Sequence, residues 1–178
     1  MRAGNEPLIV LYKPQIPPNT GNVARLCVGI DLPLTILGRP AFSLDEKSLK
    51  RAGLDYWEHL RFSHEIRFKN FWRENLNRRK IMFSKESDTN LWDFEFDPND
   101  ILIFGNETAG LPPKLLKMGD KTVKIPMRGM VRSLNLSNAV SIVSYECLRQ
   151  LSMKGLYEFD NKKEYKRMYY KKKSTDFA

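Results

Sequence analysis

Two cysteines and two histidines in 178 residues leave little room for metal or thiol chemistry. Cys27 and Cys147 both fall inside apolar helical patterns, so neither a disulfide framework nor a zinc site is readable. His59 and His64 stand in no metal-ligand spacing and read as surface or supporting residues, so no metal is expected. No apolar run approaches the length that crosses a bilayer, and the start, MRAGNEPLIVLY, lacks the apolar core of a secretory leader. A cytoplasmic protein without membrane contact is the expectation. Also missing are the G-x-x-x-x-G-K-[ST] phosphate loop, the G-x-G-x-x-G dinucleotide fingerprint and a G-x-S-x-G nucleophile elbow. Their absence disfavours an ordinary NTPase, a Rossmann dehydrogenase and a serine hydrolase.

What the chain does have is positive charge. Thirty basic residues oppose twenty-one acidic ones, for a net +9 and a pI near 9.6. That balance favours a polyanionic partner, most often nucleic acid in the cytosol, although a solvated basic surface has the same composition. Hydrophobic residues at 42% and charged residues at 29% describe a globular chain long enough for one domain.

Strands and helices alternate along the sequence. Leu8–Tyr12, Leu34–Leu37, Ile81–Ser84, Ile101–Phe104 and Val123–Met127 read as short buried strands. A helix is expected from Asn19 or Thr20 onward, with Val23, Leu26, Cys27 and Ile30 on one face. A capping box at Ser43–Glu46 opens another helix, closed by Gly53, and residues 65–77 form a third. The strongest helical signal is the last, where Leu136, Ala139, Val140, Val143, Cys147 and Leu151 recur at three- and four-residue steps. The order argues for an α/β fold: a largely parallel sheet covered by helices on both faces.

Three polar loops sit at strand-to-helix junctions, where open α/β sheets hold ligands. They are Asn19–Arg25 (NTGNVAR), Gly105–Leu111 (GNETAGL) and the junction ending in Arg132, Ser133, Asn135, Ser137 and Asn138. Each alone also reads as an ordinary capped turn, with Arg25 paired to a carboxylate such as Glu107. Together they suggest one composite site for a nucleotide-like ligand bound mainly by backbone groups.

As a set the loops carry a resemblance. N-x-G-N-x-x-R, then [LIV]-x-F-G-x-E-x-x-G-L-P, then I-P-M followed six residues later by L-N-L-S-N-A-V, resembles the SPOUT-class RNA ribose 2′-O-methyltransferases. The longer strings IPPNTGNVARLC, KRAGLDYWEH and RSLNLSNAVSIVSYE are similar to the small single-domain tRNA (cytidine/uridine wobble) members of that class. The likeness covers residues 8–151 and keeps motif order and spacing.

The resemblance implies a C-terminal deep trefoil knot, a homodimer with its active site near the subunit interface, and S-adenosylmethionine as methyl donor, leaving S-adenosylhomocysteine. It implies 2′-O-methylation of the wobble nucleotide, cytidine or uridine 34, of tRNA. The alternatives are a non-catalytic RNA-binding protein on the same scaffold and a methyltransferase for ribosomal RNA. Carried over, the catalytic set is Arg25, Glu107, Ser133 and Asn135. The donor would lie against Ser84, Gly105, Ile125, Met127, Ser133 and Leu134. RNA would meet Asn19, Arg25, Arg132 and Tyr145, and Glu107 would hold both its loop and Arg25. Tyr145, midway along the last helix, would reach RNA or the dimer interface, and reads equally as core packing.

Composition sets off a basic, tyrosine-rich tail at 154–178, and the resemblance implies that residues 1–153 are the knotted methyltransferase domain. From Ser152 onward eight basic and four acidic residues carry +4 of the net charge, interleaved with Tyr157, Phe159, Tyr165, Tyr169 and Tyr170. Phosphate contacts and base stacking suit such a tail, as does a simple charged terminus.

Overall fold

Short apolar runs become strands in this chain because both of their faces are buried. The computed structural model describes residues 6–44 and 57–158. Six strands, β1 (Leu8–Tyr12), β2 (Leu34–Leu37), β3 (Phe62–Glu65), β4 (Lys80–Phe83), β5 (Ile101–Phe104) and β6 (Lys121–Val123), form one sheet in the order β3-β2-β1-β5-β4-β6. Every pairing is parallel. The described helices are α1 (Pro17–Gly29), α2 (Phe68–Glu74), α3 (Pro113–Leu116) and α4 (Leu136–Met153), with short 3-10 turns at Trp57–His59 and Leu91–Asp93.

Alternation along each strand sends side chains to two cores. Ile9, Leu11, Ile81, Leu102 and Val123 pack with Val23, Ala24 and Cys27 of α1 and Val140, Val143, Cys147 and Leu151 of α4. Leu8, Val10, Met82, Ile101 and Ile103 pack on the other face with Phe71 of α2 and Leu115 of α3. Burial on both faces is what a parallel sheet requires, and the expected α/β architecture is present. Both cysteines are free and buried. Burial pushes the Cys27 thiol up to about 12 and raises Cys147 as well, so neither is a nucleophile near neutral pH. Among the described residues no helix is long and apolar enough to cross a membrane.

Several boundaries differ from the expectation. α1 begins at Pro17 because prolines occupy its first two positions, where no N–H is needed. β4 ends one residue early, at Phe83. The sixth strand is Lys121–Val123, and Val123 ends it instead of starting it. Lys124 makes only an isolated bridge to Asn90, and Pro126, which has no N–H, cannot extend the ladder. The helix expected over 65–77 narrows to α2, because Phe62–Glu65 pairs with β2 as an edge strand. Of the helix expected after the cap at Ser43 and closed by Gly53, all from Asp45 onward lies outside the described residues.

The amino ends of the strands are locked by paired charge. Asp100, fully buried, accepts from Nε and Nη2 of Arg79, each at 2.7 Å. Arg78 donates to the carbonyls of Glu6, Asn99 and Asp100. Arg61 pairs with Glu6 and Asp31. Beyond α4 the chain folds back, burying Tyr157 in the main core with its hydroxyl donating to the carbonyl of Ile30.

Candidate active site

The strand order reverses between β1 and β5, so the loops that follow these two strands flank a crevice at the carboxyl edge of the sheet. This is where open parallel sheets place ligands. Register sets the neighbours. Phe83, Phe104 and Val123 are partners across β4, β5 and β6, which brings Ser84, Gly105 and Lys124 abreast, with Ile125 one residue on. Ser84 donates its N–H to Val123 at 3.0 Å. Beneath them the rings of Phe83 and Phe104 stack with centroids 4.6 Å apart and planes 10° off parallel.

The β5–α3 loop is wound tightly. The Asn106 side-chain oxygen accepts from the N–H groups of Thr108 and Ala109, and Gly110 closes the turn with its N–H on the Asn106 carbonyl. Gly110 has φ +66°, a conformation for which glycine is suited, whereas Gly105 serves close approach. A Cβ on Gly105 would lie 2.1 Å from the Gly110 carbonyl carbon.

That winding aims Glu107 across the crevice at the start of α1. Its carboxylate accepts from the N–H of Gln15 at 2.8 Å, the N–H of Ile16 at 3.1 Å and the Asn19 amide at 3.0 Å. Ile16 is the N-cap of α1 and offers no capping side chain. The two prolines remove two of the helix's orphan donors, and Glu107 satisfies a third from another loop. Partial burial pushes the Glu107 carboxyl up. Hydrogen bonds from Asn19 and from the N–H groups of Gln15, Glu107 and Ile16 outweigh it, holding the carboxyl below its ordinary 4.5. Arg25 is not among its partners, contrary to the expected pairing.

Asn19 relays the connection. Its side-chain oxygen accepts from the Asn135 amide at 2.9 Å. Asn135 in turn is the N-cap of α4, accepting from the N–H and hydroxyl of Ser137 at 2.9 and 2.8 Å. Glu107, Asn19 and Asn135 thus join three loops far apart in sequence.

Glu107→Gln tests this hub. The amide keeps one acceptor and turns the other into a donor facing N–H groups, at a cost of about 1–3 kcal/mol, read by urea unfolding. The carboxyl is lowered on folding, so its contribution is intact above 4.5 and lost as pH falls through the lower native value. The stability gap between wild type and variant therefore closes only in acid.

Other expected residues are more dispersed. Arg25 lies on the exposed side of α1, and Arg132 and Ser133 are exposed just ahead of α4. Ile125 and Leu134 are half-buried, Ile125 packing against the main core, and Met127 is 36% exposed. Tyr145 is 53% exposed on the third turn of α4. There it lines an open hollow with Trp92, Ile142, Arg149 and Met153, away from the three loops and not in the core. Sequence reading missed the Gln15 and Ile16 N–H groups and the Phe83–Phe104 stack. The stack was detectable as two adjacent runs, KIMF and ILIF, that end alike. Among the described residues no cluster of three or more metal-ligating side chains occurs.

Comparison with known proteins places this geometry. The model of the SpoU rRNA methylase family matches residues 6–145. An Escherichia coli K12 protein named tRNA (cytidine(34)-2′-O)-methyltransferase is 40% identical over 149 residues, 83% of this chain and 95% of its own. A solved structure described for 2-OH methylation of C/U34 on tRNA is 40% identical, with a TM-score of 0.79 over 85% of this chain and 99% of that one. The SpoU methyltransferase AviRb of Streptomyces viridochromogenes, solved with AdoMet, is 26% identical with a TM-score of 0.73, covering 84% of this chain and 59% of its own. A parallel six-stranded sheet, three loops joined at its carboxyl edge and a match over most of its length make this chain a member of the SpoU methylase family.

Proposed function

We propose that this protein methylates the 2′-oxygen of the wobble ribose, cytidine or uridine 34, in the anticodon loop of tRNA. The observation that carries the chemistry is the Glu107–Asn19–Asn135 chain of hydrogen bonds, which holds three loops as one unit. The substrate follows the relatives near 40% identity that are named for tRNA position 34, in preference to the ribosomal RNA in the family's description.

S-Adenosylmethionine, when bound, supplies an activated methyl on a sulfonium. The residues at the carboxyl edge suit such a group. Ser84 and Gly105 present backbone polar atoms, Gly105 has no space for a side chain, and Ile125, Met127 and Leu134 offer apolar surface beside Ser133. Glu107 and Asn135 keep the loops in place and position the hydroxyl; as its oxygen takes the methyl and the sulfonium becomes a neutral thioether, the hydroxyl proton passes to the neighbouring RNA phosphate. Arg25 and Arg132 hold RNA phosphate, with Asn19 behind them and Tyr145 further along α4. The chain from β6 to α4 is threaded as a trefoil knot, and residues 1–153 form the catalytic body; of the tail at 154–178, Tyr157 belongs to the main core and Lys154 to Glu95, and the rest serves RNA contact. The protein works in the cytoplasm as a homodimer. The exposed Trp92, Ile142, Tyr145 and Met153 around α4 supply an apolar face for that contact.

The test is transfer of labelled methyl from S-adenosylmethionine to tRNA, followed by nucleoside mapping. The label is expected on ribose 34; label on ribosomal RNA alone supports the alternative substrate, and donor-independent RNA binding without label supports the non-catalytic reading.

A further inference from the structure

Several cations among the described residues already have partners. At the amino ends of the strands Arg61, Arg78 and Arg79 are engaged by carboxylates or carbonyls. On the helical flank Arg149 pairs with Glu146 and Lys154 with Glu95. At the carboxyl edge, Lys13, Arg39 and Arg67 are exposed, and among the described residues none of them forms an ion pair.

These three follow β1, β2 and β3, and register makes them a row. Tyr12 is the partner of Leu37 and Leu37 of Glu65. The ladder continues past the strands, with the Lys13 N–H on the Leu37 carbonyl at 2.9 Å and the Gly38 N–H on the Glu65 carbonyl at 2.8 Å. Lys13 takes the left-handed region at φ 47°, uncommon outside glycine. Its stem runs over Gly38, where an added Cβ would meet Lys13 Cγ at 2.8 Å. The His64 ring and the Gly38 carbonyl share a hydrogen bond at 2.9 Å. Glu65, which ends β3 beside the row, accepts from the Arg67 backbone N–H. With strands about 4.8 Å apart, the row spans roughly 10 Å, a few nucleotides of RNA backbone.

We infer that Lys13, Arg39 and Arg67 form a phosphate track that carries the RNA flanking the target ribose from the crevice toward the β3 edge. The inference rests on the proposed RNA substrate and adds its path. Cations held by carboxylates have their charge already compensated, whereas those of this row retain theirs for phosphate and release counterions on binding. Register with β1 places Lys13 beside the crevice, so the track is continuous with the loops that Glu107 joins.

The experiment measures tRNA affinity of the full chain against salt for Lys13→Gln, Arg39→Gln, Arg67→Gln and the control Arg73→Gln at the far end of α2. Donor affinity and thermal unfolding are followed in parallel. Each row variant is expected to lower the slope of log K against log salt by about 0.7 to 0.9, with donor binding and unfolding unchanged. Arg39→Lys should restore the slope, as expected of a point charge on phosphate. The control should leave it unchanged. Wild type that methylates tRNA while row variants keep its slope overturns the track alone. Wild type that neither binds nor methylates any tRNA overturns both the track and the proposed function.

Discussion

Arg25→Ala is expected to abolish methyl transfer while leaving donor affinity unchanged. Arg25 sits six residues beyond Asn19 on α1, about 9 Å along the helix axis from the residue that joins the three loops. Its side chain is exposed, and a guanidinium is a planar fork of N–H donors matched to phosphate oxygens. In the proposed mechanism it grips RNA phosphate and sets the angle of the hydroxyl. Positioning contributes several orders of magnitude to such reactions, so losing it removes turnover and not only affinity. Arg25→Lys keeps the charge and loses the planar fork; an intermediate rate is the expected result. Single-turnover transfer and donor titration on the same preparations separate the two effects. Full activity in Arg25→Ala would remove Arg25 from the mechanism.

The second large effect is structural. In Gly105→Ala the new methyl meets backbone on every near side: Gly110 C at 2.1 Å, Leu111 N at 2.3 Å and the Gly110 carbonyl oxygen at 2.5 Å. None of these is the movable end of a side chain, so either β5 or its loop must shift. Overpacking costs about 1–3 kcal/mol where side chains can yield, and rigid backbone puts this substitution at or beyond the upper end. The loop that would move carries Glu107, so donor binding and the capping of α1 are lost together. Gly110→Ala separates space from conformation. Its Cβ meets nothing within 4 Å although φ is +66°, so it costs about 1–2 kcal/mol. Urea midpoints rank the two, and equal midpoints would show that the loop yields easily.

The parts of this fold visible in the sequence are those where burial alone decides. LIVLY and ILIF are apolar on both faces, and both lie at the centre of the sheet. The edges were harder. FSHE in β3 has no apolar alternation and is a strand only because Leu34–Leu37 offers it a ladder. KTV in β6 was displaced by its more apolar neighbour VKIPM, which proline keeps out of the sheet. The start of α1 misled because Asn19 and Thr20 look like caps, yet the cap is a carboxylate 91 residues away in sequence from Ile16. Residue types at the site were readable as three polar loops. Their wiring was not, since a hydrogen bond between Asn19 and Asn135 spans 116 residues and leaves no local pattern.

The neighbour relation between Leu8 and Ile101 also constrains how the molecule comes into being. No two strands of this sheet are joined as a hairpin, and its central pair lies about ninety residues apart in the chain. On the ribosome, β1 must wait until β5 has emerged, and the first core stays uncovered until α4 follows. Apolar strand edges are therefore unshielded for most of synthesis, a state that invites aggregation. Slower translation at low temperature, or holding chaperones, should raise soluble yield more than any single surface substitution.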